Sequence, residues 1–231
     1  MMSSTDLTLY EQLVLLALES TSAEYPETIK RKYLEIGLAG AILLLLLRSG
    51  RVTFQRGGFQ VRGQLSVGDS EVDDFLKGLE NKADPFKPLR IGKWLKRAAK
   101  PKLKNTAITG LVNKNILARK KRKLLILKPE LREEIVHRLN EVIRGTEGAD
   151  EKTAALVSLA HAAECLDWLE FGDKPKNYKT RLNELGKLSG PVIPAVRTAV
   201  AERKLVSSVV NAIGLVGSSS IALLLARACS S

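Results

Sequence analysis

Two side chains in this sequence could share a metal ion from one helix: His161 and Cys165 are spaced i,i+4 and fall on the same helical face. A metal site needs three or four ligands, and the only other His and Cys are His137 and Cys229. A core His and a core Cys on an Ala- and Leu-rich helix account for the pair. Glu133 with Glu134, and Glu164 with Asp167, have the composition of acid/base pairs. On charged helix faces such pairs are commonplace. No GxSxG, GxxxxGK[ST], GxGxxG or HExxH occurs. The chain is therefore read as not an enzyme, with no catalytic residue, no metal site and no cofactor.

What the sequence does concentrate is positive charge. The 231 residues carry 37 Lys and Arg against 25 Asp and Glu, a net charge of +12. From Lys87 to Lys128 there are fifteen Lys or Arg and no acidic residue, which leaves 22 basic against 25 acidic residues elsewhere. So many cations repel one another and destabilise the fold unless something compensates. A polyanion is the expected partner, either nucleic acid or an anionic membrane surface. Two Cys without a CxxC pair fit a reducing compartment. The opening residues lack the basic-then-apolar pattern of a signal peptide.

The elements that must position these charges read as mostly helical. Ser3-Ser4-Thr5-Asp6 offers N-caps ahead of a stripe formed by Leu7, Leu9, Leu13, Leu16 and Leu18. A second helix is expected from Thr28 to Arg48, with a central, fully buried second half. Two apolar runs flank Arg56-Gly57-Gly58, where paired Gly suits the positive φ of a hairpin turn. Ser70 to Leu79 reads as a capped acidic helix, and Asp84 to Pro88 as a loop. Leu89 to Ala99 and Pro101 to Val112 read as helices, then Ile116 to Leu127 as a second hairpin whose tip, Arg119 to Lys123, is wholly basic. Helices over Leu131 to Ile143, Thr153 to Leu169, Arg181 to Leu188 and Ala195 to Leu225 complete the pattern. Leu205 to Ala226 is uncharged, but its five Ser, one Asn and two Gly mark a buried helical hairpin rather than a membrane span. The fold class expected is mainly α: one globular domain over residues 1–231, amphipathic helices around a buried apolar helix, with short β-hairpins.

Several of these segments, taken in order, resemble one known family. Leu7-Thr8-Leu9-Tyr10-Glu11-Gln12-Leu13-Val14-Leu15-Leu16-Ala17-Leu18, then Gly37-Leu38-Ala39-Gly40 and Arg48-Ser49-Gly50-Arg51-Val52, are similar to the opening of the Golgi phosphoprotein 3, or GPP34, family. Leu111-Val112-Asn113-Lys114-Asn115-Ile116-Leu117 resembles its helix exit, and Ala155-Leu156-Val157-Ser158-Leu159-Ala160-His161-Ala162 its late motif. The resemblance implies a peripheral membrane protein that binds phosphatidylinositol 4-phosphate or a similar anionic headgroup on a flat basic face. It also implies an adaptor role toward the tails of membrane-protein cargo, self-association into a homo-oligomer, and a cytoplasmic location on a membrane surface, the Golgi in a eukaryote. The four positions of the family's lipid pocket fall here on Lys30, Ala39, Pro101 and Lys104. Lys30 stands where the family has Trp, and of the family's three Arg positions only Lys104 keeps a cation, while Lys96, Arg97, Lys100 and Lys102 crowd the same neighbourhood.

The resulting expectation is that Lys30, Lys96, Arg97, Lys100, Lys102 and Lys104 converge on one face that binds the headgroup. Trp94 and the tip residues Arg119, Lys120, Lys121, Arg122 and Lys123 are expected to touch the membrane, since an amphipathic ring is comfortable at the interface. The alternative is a nucleic-acid-binding protein of winged-helix layout over residues 101–127. In that reading Asn105, Thr106, Thr109 and Asn113 face the bases.

Overall fold

A computed structural model of the chain describes residues 3–18, 32–55, 58–62, 66–70, 72–73, 76–77, 89–120, 123–166, 177–188 and 190–208. Its innermost helix is α1 (Leu9–Ala17), all nine residues of which are buried. Thr8 caps it: the Thr8 hydroxyl accepts from the Glu11 N–H, and the Glu11 carboxylate accepts from the Thr8 N–H in return. Burial all round, rather than along one stripe, means that the polar residues of α1 need partners inside the protein. Each has one. Glu11, with a side chain 0% exposed, takes a 2.7 Å ion pair from Lys114. Gln12 donates to the Leu7 carbonyl and accepts from Arg138. The Tyr10 hydroxyl donates to Asp69 over 2.7 Å, and burial together with that carboxylate pushes its pKa far upward, so it remains a donor.

Against α1 lies α2 (Leu34–Arg48), buried from Leu34 to Leu44. Residues 28–31, where the sequence places its start, lie outside the described residues. Two glycines let α2 sit close to its neighbours. A Cβ on Gly37 would stand 2.8 Å from Cβ of Ala163 and 3.0 Å from Leu13, and one on Gly40 would stand 2.6 Å from Val196 and 2.9 Å from Leu159.

Next come the hairpin of β1 (Val52–Gln55) and β2 (Gly58–Val61), α3 (Ile91–Ala98), α4 (Pro101–Asn113), and the hairpin of β3 (Leu117–Lys120) and β4 (Lys123–Ile126). Both hairpins are antiparallel, with Val52 opposite Val61 and Leu117 opposite Ile126. The rest is α5 (Pro129–Arg144), α6 (Glu151–Ala162), α7 (Tyr178–Leu188) and α8, a helix over residues 192–208. One cluster of buried side chains runs from Leu7 to Val200, so the architecture is mainly α with short hairpins, as the sequence predicts. The chain around Asn115, which takes the left-handed conformation that Asn tolerates at φ 53°, turns from α4 into β3 and sets Lys114 beneath Glu11.

Two local expectations are corrected. Gly58 is a strand residue, and what it supplies is proximity: a Cβ there would lie 2.2 Å from the Leu89 carbonyl oxygen. Phe59 exchanges both backbone hydrogen bonds with Leu89 at 2.9 and 2.8 Å, tying the first hairpin to the start of α3. Gly57 lies outside the described residues. The second correction concerns the chain's end. Leu205 and Val206 are 67% and 63% exposed, not buried, and residues 209–231 of the expected hairpin lie outside the described residues.

Two predictions follow from this packing. Gly37→Leu and Gly40→Leu should each destabilise the fold by about 2 kcal/mol through overpacking. Gly92→Ala, in α3 with nothing within 4 Å of the new Cβ, should stabilise it by about 0.5–1 kcal/mol. Urea midpoints compare the three, and equal effects would sink the close-approach argument. Lys114→Met strands the Glu11 carboxylate and should cost about 3 kcal/mol. Adding Glu11→Gln should recover part of that loss in the same measurement, and a double variant no more stable than Lys114→Met would refute the pairing.

Candidate functional site

The basic stretch is mounted on α3 and α4. In α3, Trp94, Leu95 and Ala98 are buried, which turns Lys93, Lys96 and Arg97 outward. Lys100 is the N-cap of α4 in an extended conformation, and Pro101 occupies its first turn, where a missing N–H costs nothing. No side chain caps this end of α4, and the positive end of the helix dipole adds to the potential beside Lys100. Leu103, Ala107, Ile108 and Leu111 anchor the helix on α1 and α2.

Where α3, α2 and α8 meet, a groove of about 370 Å³ opens. Its apolar walls are Ile36, Ala99, Ala199 and Val206, and its rim carries Lys96, Lys100, Arg203 and Glu202. Lys96 pairs with Glu202 at 2.5 Å, both side chains about half exposed. Such an open pair contributes roughly 0–1 kcal/mol, so a competing anion can displace Glu202. Next to the groove, Lys32 donates to Ser207 over 2.8 Å, and the Lys32 and Lys204 ammonium groups lie 5.6 and 5.8 Å from the Tyr33 ring centre. Val206, 63% exposed, borders the same edge. Cations, an apolar wall and one exposed aliphatic side chain are thus adjacent.

The expected headgroup residues divide. Lys96 and Lys100 line the groove. Arg97 and Lys102 are exposed beside it, on the last turn of α3 and the first turn of α4. Lys104 is drawn inward, 27% exposed, where it pairs with Glu35 at 3.3 Å. Ala39 is fully buried in α2. Lys30 lies outside the described residues, as do Lys121 and Arg122 of the hairpin tip, while Arg119, Lys120 and Lys123 are exposed. Trp94 does not reach an interface: it is 3% exposed and packs edge-on against Phe59, ring centres 5.9 Å apart. Its neighbours Lys93 and Lys96 are on the outer face of the same amphipathic helix, and the ring is on the inner one. The expectation of one continuous cationic plane is corrected accordingly, because Lys96, Lys104 and Lys114 meet the chain's own carboxylates.

Sequence reading missed the share of α8. Arg203, Glu202 and Val206 were hidden in a long helical run, and the Glu202-Arg203-Lys204 charge cluster was the available signal. The His161 and Cys165 side chains do not converge on a metal: Cys165 is buried with Sγ near the Ala163 carbonyl, and His161 turns to Arg197. Among the described residues no group of three metal-ligating side chains is found, and no helix is long and apolar enough to cross a membrane. Glu134 is structural. Burial pulls its pKa upward, but hydrogen bonds from Ser4 and Ser3 and the charge of Arg138 outweigh that and hold it below the ordinary carboxylate value.

A comparison with curated proteins finds no significant match. A family model described as Golgi phosphoprotein 3 (GPP34) matches residues 9–203, from the first residue of α1 into α8. The match takes in the described helices and hairpins between those ends and most of the groove's lining, and the chain belongs to the Golgi phosphoprotein 3 (GPP34) family.

Proposed function

We propose that the protein is a non-enzymatic peripheral membrane protein that binds anionic phospholipid, phosphatidylinositol 4-phosphate or a similar headgroup, through the rim of the α3–α8 groove. The observation that carries this reading is the convergence of Lys96, Lys100 and Arg203 on one opening, with the exposed apolar side chain of Val206 beside it. Each Lys or Arg at a negatively charged leaflet contributes about 1 kcal/mol. Arg97 and Lys102, with Arg119, Lys120 and Lys123 of the second hairpin, add attraction outside the groove, so no deep pocket is needed. Membership of the Golgi phosphoprotein 3 family supports a Golgi-type membrane as the site of action and an adaptor role toward membrane-protein cargo.

The nucleic-acid reading loses support from the second hairpin. Arg119 donates to the Thr109 hydroxyl over 2.8 Å, and that hydroxyl donates in turn to the Asn105 carbonyl. A wing folded onto the helix side chains meant to read bases leaves less of that face for a groove edge.

Sedimentation with vesicles tests the proposal. Binding to phosphatidylcholine vesicles containing phosphatidylserine, phosphatidic acid or phosphatidylinositol 4-phosphate should follow surface charge and fall as salt rises. Lys100→Glu with Arg203→Glu should weaken it about tenfold or more while leaving the melting temperature nearly unchanged. Equal sedimentation with pure phosphatidylcholine, or a gel shift of duplex DNA at physiological salt without vesicle binding, would overturn the assignment.

A further inference from the structure

On α8 the residues Arg197, Val200, Ala201 and Lys204 form a stripe two residues out of phase with the groove stripe, and so face the other flank of the helix. There they line a second cavity, of about 190 Å³, with His161 and Glu164 at the end of α6. Arg197 donates to the Asn183 side-chain oxygen over 3.2 Å and to His161 Nδ1 over 3.4 Å. Neither acceptor is charged. The Nε of Arg197 is buried without a partner, and among the described residues no carboxylate pairs with its guanidinium. Glu164, held at a left-handed φ of 56°, pairs instead with Lys204. Among the described residues one positive charge of the cavity therefore has no carboxylate partner. A second orphan is close by: the Ser158 hydroxyl is fully buried and unpartnered, and it borders the same side-chain-free space at Gly186 as the Arg197 guanidinium.

We propose that this cavity is a binding site for a phosphate-type oxyanion, gripped by Arg197 with His161 and Lys204 as further donors. The guanidinium is half-buried with its Nε shielded from solvent, and its planar fork matches the oxygens of a phosphate. The histidine adds a distinctive behaviour. Arg197 can only donate, so His161 Nδ1 accepts and the neutral ring carries its proton on Nε2. Burial first, and the charge of Arg197 second, hold the imidazole pKa below its ordinary value, against a weaker opposing pull from Glu164. Lys204 and Glu164 are the other charges in the cavity, and Asn183 reaches the ring only through Arg197. An anion held by the guanidinium beside the ring favours the imidazolium, so protonation and anion binding reinforce each other and binding tightens as pH falls. The site is independent of the groove and of the membrane reading.

The test is histidine NMR on the full chain, which has His137 as a built-in control because it is exposed and remote in sequence. Inorganic phosphate, at ionic strength matched with chloride, should raise the His161 pKa by about one unit and leave His137 unmoved. Arg197→Gln should weaken that response about tenfold, and Lys100→Glu with Arg203→Glu should not alter it. A response to phosphate identifies a soluble oxyanion. A response confined to vesicles of phosphatidic acid in phosphatidylcholine identifies a lipid phosphate. Absence of both, with His161 titrating unchanged at millimolar phosphate, overturns the site, and the wild-type titration decides this even where Arg197→Gln does not fold.

Discussion

The Glu11 carboxylate sits in the most buried helix, where an unpartnered charge would cost several kcal/mol, so Thr8 and Lys114 must both be in reach before α1 can be covered. That requirement links the first helix to the turn after α4. It fixes where α4 ends, and the second hairpin starts from that turn. At the other end of α4 the same rigid helix presents Lys100 and Lys102. The basic surface is thus held in place by an acid at the centre of the molecule.

The charge pattern takes on a different meaning in this light. A run of fifteen basic residues without an acid looked like a single external feature, but the structure divides it by function. Lys114 serves Glu11, Lys104 serves Glu35, and Lys96 meets Glu202 at the groove edge. The run lacks acids of its own because its carboxylates come from α1, α2 and α8. The lysines and arginines left outward then combine with an apolar wall rather than forming a uniform sheet of charge, and α8 divides the cation-lined space into two cavities of distinct chemistry.

The helical architecture and both hairpins were legible because they rest on local signals: N-caps, helical periodicity and short strand patterns. The all-round burial of α1 was not. Its stripe reports only the apolar positions, while Glu11 and Gln12 are accommodated by Lys114 and Arg138, more than a hundred residues away. Trp94 misled for a related reason, since adjacent residues of an amphipathic helix point in different directions and flanking lysines say nothing about the ring. Half of the groove, Lys96 and Lys100, could be read from charge. The α8 half could not, because its two functional stripes interleave within one helix and are separated only by tertiary packing. The motif resemblance faded beyond about residue 165, yet the family match continues to residue 203 and takes in α8 as far as that point.

The first hairpin grips α3 through main-chain hydrogen bonds between Phe59 and Leu89, at a distance that only the bare backbone of Gly58 permits. A joint of that kind is indifferent to the identity of the residues on the outer surface of α3. Exchanging Lys93 or Lys96 leaves that joint intact, so the charge presented along this helix can drift while its framework stays the same.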